Sequence, residues 1–361
     1  GDVNGDGTDD YVYTATARDE RTPSTLEDQT GKTALYFGGD TPKEPDQLVY
    51  HDLTPVGDLD GDGFADALEI NDSTARIFAG SASGYTDSGV TVSLSENPGA
   101  VVGFTDVGSD GFTDALLYSL GSPALDVVNG ADDLSDVGIT SFEPSGDPGF
   151  EYKYKASDLD DDSETEVVRI EGGGVGQDNK RLYIYRIENS TLVQERSFLV
   201  EELANSEIDS ALNLWLINID SDAQQEIAVR YRETYVFDAN EDGTYDSTPI
   251  SFGESSPIPV GDLDGDGRHD FYTNDAIGFG PADLTDGPVD PDSLPDDVGG
   301  VAATPDPRLG DLDGDGLGDT VLGYSGGIQA DPMTGRSFVY GSTDRSALTT
   351  ATVSYPLGRF F

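Results

Sequence analysis

Apolar residues along this chain fall in short runs, rich in β-branched and aromatic types and closed off by Gly, Asp and Pro. Examples are Tyr11-Val12-Tyr13, Ala67-Leu68-Glu69-Ile70, Ala115-Leu116-Leu117-Tyr118, Val167-Val168-Arg169-Ile170, Ile227-Ala228-Val229 and Thr320-Val321-Leu322. Runs of this length and composition predict strands. No long stretch carries a helical period, and Val200–Ala211 is the one segment expected to form a short turn of helix.

Each of those runs follows an acidic loop. Asp2-Val3-Asn4-Gly5-Asp6-Gly7-Thr8-Asp9-Asp10 recurs as Asp58–Asp66, Asp106–Asp114, Asp158–Glu166, Asn218–Glu226, Asp262–Asp270 and Asp311–Asp319. The starts of the seven loops lie 56, 48, 52, 60, 44 and 49 residues apart. A period of this size marks a repeat architecture.

A further run precedes most loops, such as Ile258-Pro259-Val260, Val101-Val102-Gly103-Phe104 and Leu214-Trp215-Leu216-Ile217. A third run often ends in an aromatic residue and Gly, as in Leu35-Tyr36-Phe37-Gly38, Arg76–Gly80, Ile277–Gly280 and Phe338–Gly341. Tyr183-Ile184-Tyr185 and Tyr235-Val236-Phe237 are divergent copies, and Gln47–Tyr50 and Thr352–Tyr355 represent a fourth run. Four strands per repeat, in the order A, acidic loop, B, C, D, predict an all-β protein: a single seven-bladed β-propeller over residues 1–361. Its blades would span 2–53, 54–97, 98–148, 149–208, 209–254, 255–304 and 305–356. The first blade lacks a run before its loop, and Leu357–Phe361 is a surplus run after the last. The C-terminal strand is therefore expected to close the ring. If it filled the first blade of a neighbouring copy instead, the chain would self-associate into a polymer.

Charge narrows the setting. The formal net charge is −52, from 71 acidic residues against 19 basic ones, and only 5 of the bases are Lys. A field of that sign repels nucleic acid and anionic membrane surfaces, so neither is expected as a partner. Its self-repulsion is relieved in molar salt, where the screening length falls to about 3 Å. An Asp-rich, Lys-poor chain points to a halophile, because acids also crowd stretches outside the loops such as Pro281–Gly300. With 35% hydrophobic residues in regular runs, disorder is not expected. Cysteine is absent, which excludes disulfides and Cys-ligated zinc. No apolar run reaches membrane-spanning length. The chain begins inside its first loop, as a mature or trimmed secreted product would. The sequons at Asn71 and Asn189 agree with secretion.

The Asp-x-Asp-x-Asp-Gly-x-x-Asp loops, combined with strands ending in Phe-Gly, resemble the FG-GAP repeats of integrin α-subunit propellers. They are still more similar to the related repeats of microbial secreted proteins. The resemblance spans essentially the whole chain and implies calcium in the A–B hairpins. The donor chemistry agrees, since Ca²⁺ takes six to eight oxygen ligands and alternate carboxylates in a tight loop supply them. In the sixth loop Asp262, Asp264 and Asp266 would converge, with the carbonyl of Arg268 and closing Asp270. An EF-hand would need flanking helices and a Glu at position twelve.

Four loops keep every carboxylate or amide position: Asp2/Asn4/Asp6/Asp10, Asp58/Asp60/Asp62/Asp66, Asp262/Asp264/Asp266/Asp270 and Asp311/Asp313/Asp315/Asp319. The seventh-position carbonyls there belong to Thr8, Phe64, Arg268 and Leu317. The third loop offers Asp106, Asp110, Phe112 and Asp114, with Gly108 where a ligand is expected. The fourth offers Asp158, Asp160, Asp162, Glu164 and Glu166, with Ser163 in place of the turn glycine. The fifth offers Asn218, Asp220, Asp222, Gln224 and Glu226, with Ala223 there. Water must take the missing ligand's place in loop three, and a side chain at a left-handed turn is costly in loops four and five, so all three are expected either to bind weakly or to stand as metal-free hairpins.

Other candidates carry less. Asp238–Asp246 repeats the loop motif out of register and reads as a hairpin turn rather than an eighth site. His51 and His269 are the only imidazoles; His269, inside the sixth loop, is expected to be exposed, and His51 to be structural. No nucleophile elbow, His-Glu-x-x-His or phosphate loop occurs, and Gly172–Gly176 leads from strand to strand as a hairpin tip. Paired carboxylates of a glycosidase remain open, because acids are everywhere.

The expected function is therefore a non-catalytic, extracellular, calcium-binding propeller at a halophile's surface, serving adhesion, recognition or a surface filament. The alternative is a secreted polysaccharide-active enzyme or its binding domain. The resemblance implies that a protein or glycan docks on the face opposite the calcium loops. Ala17–Thr33, Gly172–Lys180 and Ser325–Arg336 would supply Arg18, Arg21, Lys32, Lys180 and Arg336 to an acidic partner. Pro281–Gly300 is expected to be a long exposed C–D loop on the metal face.

Overall fold

The computed structural model describes residues 1–15, 32–39, 45–95, 98–107, 110–119, 124–144, 151–160, 162, 164–172, 181–188, 191–199, 213–220, 222, 224–230, 234–240, 244–245, 249–252, 258–273, 276–279, 310–325, 333–343 and 349–356. Outside them fall Val200–Ala211, Pro281–Gly300, Leu357–Phe361, most of Ala17–Thr33, Gly172–Lys180 and Ser325–Arg336, and also Gly108, Ser163, Asn189 and Ala223.

The described strands form antiparallel meanders in which each strand pairs with its neighbour in sequence. The first contains β1 (Tyr11–Ala15), β2 (Lys32–Tyr36) and β3 (Gln47–Val49). The second contains β4 (Leu53–Gly57), β5 (Asp66–Asn71), β6 (Thr74–Ala79) and β7 (Thr86–Ser93). In the third are β8 (Pro98–Thr105), β9 (Asp114–Ser119), β10 (Leu125–Asn129) and β11 (Gly138–Phe142), with a 3₁₀ turn, Leu134–Asp136, before β11. The fourth runs through β12 (Glu151–Ser157), β13 (Glu166–Gly172), β14 (Arg181–Glu188) and β15 (Thr191–Leu199). The fifth holds β16 (Asn213–Ile217), β17 (Glu226–Arg230), β18 (Thr234–Phe237) and β19 (Ile250–Ser251). The sixth has β20 (Ile258–Gly261), β21 (Asp270–Thr273) and β22 (Ala276–Gly278); the seventh has β23 (Thr320–Ser325), β24 (Met333–Tyr340) and β25 (Thr349–Pro356).

The protein is all-β, and its repeated antiparallel meanders give it a β-propeller fold. The chain divides into two compact units, Gly1–Phe37 with Pro45–Leu216, and Gly38–Glu44 with Ile217–Phe361. Among the described residues no helix is long and apolar enough to cross a membrane.

Packing explains why the second strand of a blade does not alternate apolar and polar residues. In the first unit, Val56, Leu68 and Ile77 of one sheet meet Val101, Ala115, Leu117 and Val128 of the next. The other face of that next sheet, through Val102, Leu116 and Val127, meets Tyr154, Val167 and Tyr185. A strand such as β9 is thus covered on both faces, and Ala115, Leu116 and Leu117 are all buried. In the second unit Val260, Leu263, Tyr272, Ile277 and Phe279 pack on Val339 in the same way. Burying a side chain of this size stabilises by about 1.5–3 kcal/mol, so the stacked sheets supply the core that a single sheet could not.

Candidate metal centres

Each acidic loop joins the first strand of a blade to the second, or leads into the second where no first strand is described. Its leading acid acts as a hub. In the second loop Asp58 Oδ1 accepts the N–H of Gly61 at 2.7 Å and of Asp62 at 3.1 Å, and Oδ2 accepts that of Gly63 at 2.8 Å. The N–H of Phe64 then donates to Asp62 Oδ1 at 3.0 Å. The same bonds recur around Asp2, Asp262 and Asp311.

Two left-handed residues turn the chain this tightly. Gly61 has φ 71° and Gly63 φ 90°, matched by Gly5 and Gly7, Gly265 and Gly267, and Gly314 and Gly316. Position four therefore needs glycine as much as position six does. That requirement was missed in the sequence, although loops three to five carry Ser109, Asp161 and Ser221 there.

The loops gather carboxylates. Oxygens of Asp58, Asp60 and Asp62 lie within 4.8 Å of one another, as do those of Asp262, Asp264 and Asp270, and of Asp311, Asp313 and Asp315. Loops four and five do the same with Asp158, Asp160 and Glu166, and with Asp220, Asp222 and Glu226. Oxygens about 2.3–2.6 Å from a shared cation would stand no more than about 5 Å apart, so these sets suit one ion each. Among the described residues loops one and three form no such triplet of acids. In the first loop Asn4 turns its amide toward Asp6 Oδ2, at 3.0 Å.

Crowding shows in the acidities. Burial first, then neighbouring loop carboxylates, raise Asp60, Asp160 and Asp313 above the ordinary range. The closing acids shift furthest. Burial pushes Asp66, Glu166 and Asp319 up to about 7 and Glu226 to about 8, although backbone N–H groups pull each the other way. Glu226 is fully buried and, among the described residues, its Oε1 has no hydrogen-bond partner. A buried acceptor without a donor is costly, and a cation at the loop would satisfy it.

The closing acid also performs a task not anticipated from the sequence. In all seven loops one of its oxygens accepts the N–H of the loop's second residue, at 2.6–2.9 Å; the donors are Val3, Leu59, Val107, Leu159, Ile219, Leu263 and Leu312. In loops two, three and seven the other oxygen accepts the N–H of the glycine that ends the third strand: Gly80 at 2.8 Å, Gly130 at 2.7 Å and Gly341 at 2.8 Å. A Cβ on these glycines would sit 2.4 Å from Ala65 O, 2.5 Å from Thr113 O and 2.6 Å from Gly318 O. The glycine that ends the third strand thus marks a close approach of strand to loop. The signal that could have revealed it is the joint recurrence of that glycine with a closing Asp.

His269 corrects an expectation. It is half-buried, its N–H donates to Asn218 O at 2.6 Å, and its Nδ1 accepts the N–H of Asn218 at 3.1 Å. Burial lowers its pKa, so the ring is held as a neutral acceptor. His51 Nδ1 pairs with Glu69 Oε1 at 2.9 Å and its ring lies 4.8 Å from that of Phe78. Within the out-of-register motif, Ala239 bridges Tyr245, and Asn240 donates from N to Thr244 O at 2.7 Å. β13 and β14 pair as a hairpin around the glycine-rich stretch. Asn71 stands exposed at the β5–β6 turn.

No protein-family model matches the sequence, and no curated protein matches it. Solved structures do resemble it. The WD40 domain of SCAP from fission yeast aligns with a TM-score of 0.44 and 10% identity, over 84% of this chain and 73% of that one. A complex of the fission yeast SREBP-SCAP binding domains aligns with a TM-score of 0.37 and 11% identity, over 86% and 78%.

Proposed function

We propose that this protein is a calcium-stabilised, non-catalytic propeller of the FG-GAP kind, acting outside a halophilic cell in adhesion, recognition or a surface assembly. The observation that carries the reading is the buried, unpartnered Oε1 of Glu226 beside Asp220 and Asp222, in a loop copied around the chain. Calcium would supply charge neutralisation and a cross-link among ligands held by one short loop. Candidate holders are the acids and amides of the seven loops together with the seventh-position carbonyls. The protein's own share of the work is preorganisation, since backbone N–H groups already fix the leading acid in place.

The finer architecture belongs to the same proposal: seven blades in one ring, the first completed by 357–361. Ala131 N donates to Leu59 O, and Ser342 N to Leu263 O, so the residue after a strand-ending glycine bonds to the preceding blade's loop. A protein or glycan partner would use the face opposite the loops.

The test is a thermal melt at constant multimolar salt, with calcium and with chelator, alongside equilibrium dialysis against calcium. Bound ions and a melting point that drops on chelation are expected. An unchanged melt with no bound ion would overturn the reading, and turnover of acidic or neutral polysaccharides would overturn the non-catalytic part.

A further inference from the structure

Consecutive loops touch in a repeated way. Leu317, at the seventh position of the seventh loop, lies against Gly265 of the sixth: a Cβ on Gly265 would come 2.6 Å from Leu317 Cδ2. The next residue, Gly318, donates its N–H to Asp262 O at 2.8 Å. Gly265 N in turn donates to Asp262 Oδ1 at 2.7 Å. Asp262, the leading acid of one loop, is thus held at its carbonyl and, through Gly265, at its carboxylate by two residues of the following loop.

The device recurs. A Cβ on Gly61 would come 3.1 Å from Phe112 Cε1, and Thr113 N donates to Asp58 O at 3.3 Å. On Gly5 it would come 2.7 Å from Phe64 Cε1, and Ala65 N donates to Asp2 O at 2.8 Å. From the other side each wedge abuts its own blade's strand-ending glycine. A Cβ on Gly80, Gly130 or Gly341 would lie 2.9, 2.7 or 2.8 Å from the Cβ of Phe64, Phe112 or Leu317. With glycine on both sides, the wedge has little room to shift.

We propose that the seventh side chain of each of these loops is a positioning residue for the cation site of the loop before it. Adjacent sites then fill cooperatively, each loop being set by its successor in sequence. The inference rests on the calcium reading above. Ordering the following loop fixes the wedge, the wedge fixes the glycine N–H, and that N–H aims the leading carboxylate. Outer residues that orient a ligand typically change metal affinity by about 10–100-fold.

The experiment is calorimetric calcium titration of the full chain at constant high salt, comparing wild type with Leu317→Ala. The substitution leaves the backbone carbonyl of that position intact. A loss of about 10-fold at one site is expected. The loss should vanish when the sixth loop is disabled by Asp264→Ala and persist when the seventh is disabled by Asp313→Ala. Leu317→Met should retain wild-type affinities, which separates a lost wedge from a misfolded chain, and Phe112→Leu provides a milder wedge on Asp58 if Leu317→Ala does not fold. No change in affinity would overturn the inference. So would a loss that survives Asp264→Ala and disappears with Asp313→Ala, since the side chain would then serve only its own loop. Calcium binding absent from wild type would overturn the calcium reading itself.

Discussion

The second and fifth blades carry out the same closure with different parts. In the second, β6 ends at Ala79, Gly80 follows, and Asp66 accepts N–H groups on both oxygens. In the fifth, the position matching Gly80 is Ala239, because Phe237 pairs with Ile227 as Phe78 pairs with Ala67. Its closing acid is Glu226, with one oxygen on Ile219 N and the other without a partner among the described residues. The fourth blade sides with the fifth: Tyr185 pairs with Val167, Ile187 takes the glycine position, and the acid is Glu166. In the first, second, third and seventh sheets the register puts Gly38, Gly80, Gly130 and Gly341 there, and every closing acid is Asp. Glycine lets the strand end lie on the loop, within reach of a short carboxylate. A side chain is incompatible with the approach seen at Gly80, where a Cβ would come 2.4 Å from Ala65 O, and where one stands the acid is longer by one methylene. Acid length and strand-end residue are two halves of one fitting.

The largest effect that would sharpen this comparison is on pH dependence, because several closing acids act together. In the metal-free protein Asp66, Glu166 and Asp319 titrate near 7 and Glu226 near 8, well above the value of about 4 for an unfolded carboxylate. The folded state therefore keeps protons that the unfolded chain has released. The stability these groups contribute is complete below about pH 4 and is lost as pH rises through 7 to 8. Chelated protein should melt progressively lower across that window at constant salt, while the gain on adding calcium grows, since the metal takes the ionised acids. Glu226, with a single loop donor where Asp66 has two backbone partners, should titrate last when carboxyl resonances are followed. A melting point of the chelated protein that rises between pH 5 and 8 would break the picture.

Next in size is Gly80→Ala. Its Cβ would lie 2.4 Å from Ala65 O and 2.9 Å from Phe64 Cβ, so the strand end must retreat and the bond to Asp66 is lost. A cost of about 3 kcal/mol is expected in denaturant melts, from overpacking together with a buried acceptor left open. Adding Asp66→Glu should recover part of it, because the longer acid follows the retreating strand. The reverse change, Ala239→Gly, should cost no more than about 1 kcal/mol. If Asp66→Glu worsened the Gly80→Ala protein by its full single-mutant cost, the two positions would be independent and the fitting would be a coincidence of sequence.

Much of this was legible in the chain, for reasons particular residues show. The strand runs were readable because a strand buried on both faces, such as Ala115–Tyr118, is a continuous apolar stretch between glycine-rich turns. The leading and alternate acids were readable because one loop can be compared with its copies. The closing acid was harder, because Asp66 serves a strand end fourteen residues away, and that partner is a backbone N–H with no residue type of its own. Only glycine at position 80 betrays it, through what it lacks. His269 misled for a related reason. Adjacency to loop acids suggests exposure, whereas its partner is the backbone of Asn218, fifty-one residues earlier.

The smallest effect separates the two closing acids by charge. Glu226→Gln in the metal-free protein at pH 7 should shift stability by less than about 1 kcal/mol, because Glu226 is largely protonated there and Gln keeps an acceptor for Ile219 N. Asp66→Asn should cost about 1–3 kcal/mol under the same conditions. Asp66 uses both oxygens as acceptors for Leu59 and Gly80, and an amide can offer only one, leaving its NH₂ against a donor. Calcium reverses the ranking for Glu226, since Gln removes the charge that a cation would use and the calcium-dependent rise in melting point at that loop should be lost. Equal costs for the two substitutions without calcium would mean that the unpartnered oxygen of Glu226 is no different from the clasped oxygens of Asp66. The two blade types would then differ in sequence only.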